Sequence, residues 1–469
     1  MDFTTKQHLR SIATLSGVLA VLTIGVSLQV PAISGTALLQ HQAWSANLGT
    51  NRTYKKVATS TLSAEERVAV RLQNRLRKHG NRVTPSLSNV VEAVKQRQRI
   101  LGKHIDVYFD TESDDAGEAW SVSAQRYPLW ITPRFGASEA SFSINEKRIA
   151  QTIETDNVIT VAPPTHAVLR SVALREDENS VSRVTIDGVA KPGYMPDVDY
   201  ISTAIAKTFE TDLAEVTVPL NKEPGRIINM TGLELGDLSL WAEGKSNFKG
   251  STSARQANVR KALDEHVNNT IVMPGETFSF NSTLGGSVSQ ANGWHMAKVI
   301  YNGGDLEYAP GGGICQASTT VYRAAVLAGF PVLKRKAHSL YVSYYKEGGV
   351  GIDATIYPGT QDLSFVNDSA HPIIIQAYHD GYDARVAIYG TPDTRTVELS
   401  GPYFTATAPA DMQIATNQIV WLQKVFYPNG EERDTTISSK YKTMPQSLAR
   451  EFPPEETVHA SAPLARLTD

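Results

Sequence analysis

The chain has 469 residues, more than one hydrophobic core usually organises, which predicts about two to four domains. Hydrophobic residues make up 41% and charged residues 20%, a balance that excludes a wholly disordered chain. Lys and Arg number 45 against 48 Asp and Glu, so the formal charge of -3 supplies no global field for nucleic acid, and no nucleic-acid partner is expected.

Lys6 and Arg10 precede an uncharged, mostly apolar run from Ile12 to Leu39, interrupted by Pro31. Basic residues before such a run at the extreme N-terminus read as an export signal. Ile12 to Val30 is long enough to cross about 30 Å of hydrocarbon at about 1.5 Å per residue. Residues 1–46 are therefore read as an uncleaved anchor, with a cleaved signal peptide ending near Ala43 and Ser45 as the alternative. The remainder is expected outside the cytoplasmic membrane, in the cell envelope, tethered by this single segment.

Residues 47–103 read as a linker followed by a helical segment. Ser63, Glu66 three residues later and Gly80 delimit a helix over 63–78, and a second helix is expected over Leu87 to Leu101. Residues 104–230 shift to short strands with helices between them, including Ile105 to Phe109 and Ser141 to Ile144. An internal echo, IAQTIETD at 149–156 and IAKTFETD at 205–212, predicts two related α+β units. A helix over Ser253 to Asn268 and the Pro-Gly turn of VMPGETFSFN open the next domain, residues 231–395. Turns at Asn302-Gly303-Gly304, Asn367-Asp368 and His379-Asp380-Gly381 predict an α+β domain with an antiparallel sheet. A β extension is expected over 396–450, with a hairpin turn at Pro428-Asn429-Gly430, and a mobile tail over 451–469.

The chemistry centres on Cys315, the sole cysteine. An unpaired thiol in an exported chain is not an internal staple. Pro310 to Gly329 reads PGGGICQASTTVYRAAVLAG, three glycines, the cysteine and an amphipathic helical pattern closed by Gly329. A helix N-terminus favours thiolate, and glycines allow positive φ and close approach of a substrate to the backbone. The bland alternative is a tight turn with Cys315 packed under the helix. Downstream, His338 and Asp353 complete a possible nucleophile, base and orienter set, although each residue type is also common in ordinary polar roles. Cys315, His338 and His295 or Asp353 lack C-x-x-C and H-x-x-x-H spacing, so neither a metal nor another cofactor is expected.

PGETFSFN, Gly293-Trp294, GGGICQASTTVYRAAVLAG, HSLYVSYY, GIDATIY and HPIIIQAY, in this order between Thr252 and Thr391, together resemble the VanW domain. Arg255 and Asn258 match that family's opening helix, while Tyr341 and the longer YYKEGGVGID link depart from its pattern. Residues 104–230 resemble, more loosely, the peptidoglycan-binding modules that precede such domains. The resemblance implies a cell-wall protein with peptidoglycan as partner and cysteine L,D-transpeptidase or carboxypeptidase chemistry. Cys315 would be its nucleophile, His338 its base and later acid, and Asp353 the orienter of His338. Gly311, Gly312, Gly313, Gln316 and Ser339 would contact substrate, the backbone amides of 313–316 stabilising the tetrahedral intermediate. A noncatalytic wall-binding or scaffolding protein is the alternative.

Overall fold

The computed structural model describes residues 62–79, 83–110, 119–177, 180–301 and 305–460. The expected membrane segment, the linker at 47–59, the turn at 302–304 and the end of the tail lie outside them. Among the described residues no helix is long and apolar enough to cross a membrane. The chain is mixed α+β and divides into two compact units, residues 1–160 with 196–220, and residues 161–195 with 221–469.

In the first unit, Ser63 and Glu66 form the expected capping box at the start of helix Ala64–Lys78, which packs against Leu87–Gly102 through Ala69, Val90 and Val94. Strand His104–Asp110 pairs antiparallel with Trp120–Ser123 and parallel with Glu215–Pro219. The two halves of the internal echo fall on helices Glu146–Asp156 and Val198–Glu210, which pack together. Ile149 and Ile153 in one helix and Ile205 and Phe209 in the other occupy equivalent positions of the repeat, and all four are buried. The echo thus marks the same i, i+4 apolar stripe used twice.

The second unit is built on a seven-stranded sheet. Its strands are β1 (Ala167–Ala173), β2 (Arg183–Asp187), β3 (Ile227–Asn229), β4 (Ser239–Asn247), β5 (Thr270–Val272), β6 (Ile373–Asp380) and β7 (Asp383–Gly390). Their spatial order is β3-β1-β2-β5-β6-β7-β4, antiparallel except for the β3–β1 pair. Strands β1, β2 and β3 come from the segment 104–230 that the sequence assigns to the preceding region. Alternation shows which face of a strand is buried and leaves its partner open, so only pairing assigns them to this sheet.

Helix α1 (Ser253–Lys261) continues into a π-turn over Ala262–Val267, and helix α2 (Ile314–Ala328) lies across β4 and β7. Gly244 permits this close approach, since a Cβ there would stand 2.2 Å from the Thr320 carbonyl oxygen. Ala317, Val321, Ala324 and Ala328 of α2 are fully buried in one large core with Trp241, Phe330, Phe365 and Ile388. Burial of a side chain the size of Val321 contributes about 1.5 kcal/mol or more.

The β extension is a four-stranded antiparallel sheet, β8 (Thr396–Tyr403), β9 (Gln418–Phe426), β10 (Glu432–Lys440) and β11 (Glu455–Ala460), in the order β10-β9-β8-β11. Within the segment expected as a mobile tail, Glu455–Ala460 pairs along Thr396–Gly401 as an edge strand. Trp421, Ile419, Ile437 and Tyr441 belong to the same core as α2, so the extension is part of this unit's interior.

Candidate active site

Cys315 is the second residue of α2, which begins after Gly313 at φ 114° and ends at Gly329 at φ 73°. The glycines before it are dictated by packing. A Cβ on Gly312 would stand 2.7 Å from the Ala297 carbonyl carbon, and one on Gly313 would stand 2.9 Å from Arg255 Cγ. Gly311 also has positive φ, 82°, and with Gly312 it is buried. Asn258, fully buried, staples the turn: its Nδ2 donates to the His295 and Gly312 carbonyls at 2.9 Å each, and its Oδ1 accepts from the His295 amide at 2.8 Å.

His338 and Asp353 converge on the thiol. Asp353 Oδ2 accepts from the His338 amide at 2.9 Å and pairs with His338 Nδ1. With Nδ1 committed to the carboxylate, Nε2 is the nitrogen left to interact with Cys315. His338 is 5% exposed and Asp353 2%, while Cys315 remains partly accessible. The thiol group also donates to the Ile356 carbonyl at 3.6 Å.

Burial pushes the thiol up, but hydrogen bonding and charge from His338, with smaller contributions from the Ile356 backbone and nearby Arg255, outweigh it and leave Cys315 below its usual range. Burial lowers His338, yet its bonds to Asp353 and Cys315 prevail and push it up to about 9. Asp353, raised by burial, is held low by His338 and Arg335. All three shifts favour a thiolate–imidazolium pair on an ionised carboxylate, the arrangement of an activated nucleophile.

Of the supporting residues, Arg335 and Tyr441 lie outside the quoted motifs, whereas Ser318, Thr319 and Arg323 lie within that of α2. Arg335 donates to the Asp353 carbonyl at 2.7 Å, to Asp353 Oδ1 at 3.2 Å and to Ser439 Oγ at 2.5 Å. Tyr441 also donates to Asp353 Oδ1. Ser318 Oγ donates to the Ala354 carbonyl at 2.6 Å, and Thr319 Oγ1 accepts from the Ala354 amide at 3.1 Å, tying α2 to the residue after Asp353. Arg323, 1% exposed, gathers the carbonyls of Lys245, Tyr345, Glu347, Gly349 and Ile352. It thereby holds the YYKEGGVGID link on which the position of Asp353 depends. Tyr341, the other departure from the family pattern, packs edge-on against Tyr441.

The remaining expected site residues fare differently. Gln316 is fully buried, and its Nε2 donates to Ser246 Oγ at 3.2 Å, so its side chain serves packing of α2 on β4 rather than substrate. The amides of Ile314 and Gln316 donate to the Gly311 and Gly313 carbonyls. They are therefore committed within the turn. Ser339 is half-buried, and its carbonyl accepts from the Lys442 amide at 2.7 Å. Among the described residues no group of three or more His, Cys, Asp or Glu side chains is arranged to hold a metal ion.

Residues 254–389 match the family described as VanW like protein. The chain is also 35% identical over 147 residues to the uncharacterized protein YoaR of Bacillus subtilis (strain 168). That stretch is 31% of this chain and 46% of the relative, so the chain spans less than half the length of the protein it matches. No solved structure matches it.

Proposed function

Residues 254–389 make this chain a VanW family protein, and from that premise we propose that it is a cell-envelope cysteine acyltransferase of the L,D-transpeptidase type, acting on peptidoglycan stem peptides. The observation that carries the reading is the partly buried Cys315 beside a buried His338–Asp353 pair. A purely scaffolding role gives no reason for a thiol, an imidazole and a carboxylate to be gathered at one helix start.

The Cys315 thiolate attacks the carbonyl carbon preceding a terminal D-alanine, forming a C–S bond and a tetrahedral oxyanion. Collapse of this intermediate breaks the C–N bond. The leaving amine takes its proton from His338, and D-alanine departs. An amine of a neighbouring stem then attacks the thioester and gives its proton to His338, releasing the thiolate and a cross-link. Water in place of that amine yields a carboxypeptidase. The export signal read in the N-terminal apolar segment supports a site for this chemistry at the outer face of the membrane.

Incubation of the purified protein with stem tetrapeptide tests the reading. Intact-mass spectrometry should find Cys315 acylated with loss of D-alanine, and Cys315→Ala should find none. A wild-type protein that forms no adduct, and whose thiol alkylates only after unfolding, has a packing cysteine and is not this enzyme.

A further inference from the structure

Arg255 lies beside the nucleophile with its charge unclaimed. Its stem runs against Gly313, where a Cβ would stand 2.9 Å from Arg255 Cγ, and its positive charge acts on both Cys315 and Tyr345. One nitrogen, Nη1, donates to Ser251 Oγ at 2.8 Å, and the guanidinium carbon sits 4.4 Å above the centre of the Tyr344 ring. Arg335 and Arg395 have carboxylates and Arg323 has carbonyls. Among the described residues Arg255 has no carboxylate in ion-pair range. Stacking on an aromatic face fixes the plane of a guanidinium and leaves its edge, with the remaining N–H donors, open to a planar anion. Tyr344 also lines a cleft of about 480 Å³, together with Asn247, Lys249, Ser343, Lys346 and Glu347.

We propose that Arg255 is a carboxylate subsite of the Cys315 centre, binding the free α-carboxylate of the residue that leaves on acylation. One residue spans about 3.8 Å, so a carbonyl held on Cys315 puts the carboxylate of the next and last residue within reach of an arginine whose stem lies against Gly313, two residues before the thiol. The substrate class is then a peptide whose scissile bond precedes a C-terminal residue with an unblocked carboxyl group, not an internal peptide bond. This rests on the proposed acyl-transfer chemistry, but binding can be read without turnover.

The test is calorimetric titration of Cys315→Ala protein with a stem tetrapeptide ending in D-alanine and with the same peptide as its C-terminal amide. The free acid should bind about tenfold or more tightly, as expected for a charge-assisted hydrogen-bonded pair. Adding Arg255→Gln should equalise the two affinities, and Arg255→Lys should restore part of the difference and report on the site should the Gln variant not fold. Equal binding of acid and amide with Arg255 in place, no binding of either, or a preference that survives Arg255→Gln each overturns the subsite. Acid preference without acylation of the wild-type protein would leave the subsite standing and remove the transpeptidase reading.

Discussion

The Tyr441 hydroxyl donates a 3.0 Å hydrogen bond to Asp353 Oδ1, although Tyr441 lies beyond residue 389, where the family match ends. Arg335 reinforces the link, donating to Asp353 on one side and to Ser439 Oγ and the Ser438 carbonyl on the other. The β extension is therefore a structural support of the His338–Asp353 pair.

Tyr441→Phe removes one donor to a buried carboxylate and should destabilise the fold by about 1.5 kcal/mol or more, read from denaturant melts. Acylation of Cys315 should slow as well. A double-mutant cycle with Asp353→Asn isolates the bond, and a coupling energy near zero would show that the two side chains do not act together.

The ion pair predicts a pH window. Cys315 and Asp353 are depressed in the folded protein, so the stability they confer is present above their unfolded values and disappears as pH falls through their folded ones. His338 is raised, so its contribution is complete below its unfolded value of about 6.5 and lost as pH rises through about 9. Iodoacetamide labelling of native protein should therefore show a limb below the free-thiol value of about 8.5. Acyl transfer should decline above about 9 as His338 loses the proton that the leaving amine needs. In His338→Ala the labelling limb should move up, because burial of the thiol is then opposed more weakly, and catalysis should drop by on the order of a hundredfold or more. A labelling profile unchanged by His338→Ala contradicts the pair.

Gly313→Ala should impair both fold and reactivity. At φ 114° an L-residue is strained, and its Cβ would stand 3.0 Å from the Arg255 carbonyl oxygen. A cost of about 1 to 3 kcal/mol is expected, together with slower alkylation as the helix start shifts. Thermal melts and labelling rates decide it, and an unaltered protein would mean that the turn relaxes freely.

Arg323→Met should loosen the link before Asp353. Burial pulls the guanidinium down to about 10, and its loss would strand the carbonyls it now gathers. A destabilisation of about 3 kcal/mol or more should appear, with faster amide exchange over residues 345–352. Unchanged exchange there would assign the positioning of Asp353 to Arg335 and Tyr441 alone.

Local rules settled part of this architecture from sequence. A glycine run, a 3.6-residue apolar pattern and a terminal glycine place Cys315 at the start of α2, because caps and helical periods are written in consecutive residues. The Ser63–Glu66 box and the paired apolar stripes of the echo were legible for the same reason. His338 and Asp353 were recognisable as partners by family resemblance, whereas their meeting with Cys315 depends on the buried Arg323 and on strands from the far end of the chain. Arg335 and Tyr441 look in sequence like any solvated arginine or core tyrosine. Likewise Gln316 looked like a substrate ligand beside the nucleophile, until the packing of α2 on β4 turned it inward against Ser246. The placement of β1, β2 and β3 and of the edge strand Glu455–Ala460 was decided the same way. Backbone pairing and the satisfaction of buried polar groups join residues distant in sequence, so only the tertiary structure could decide them.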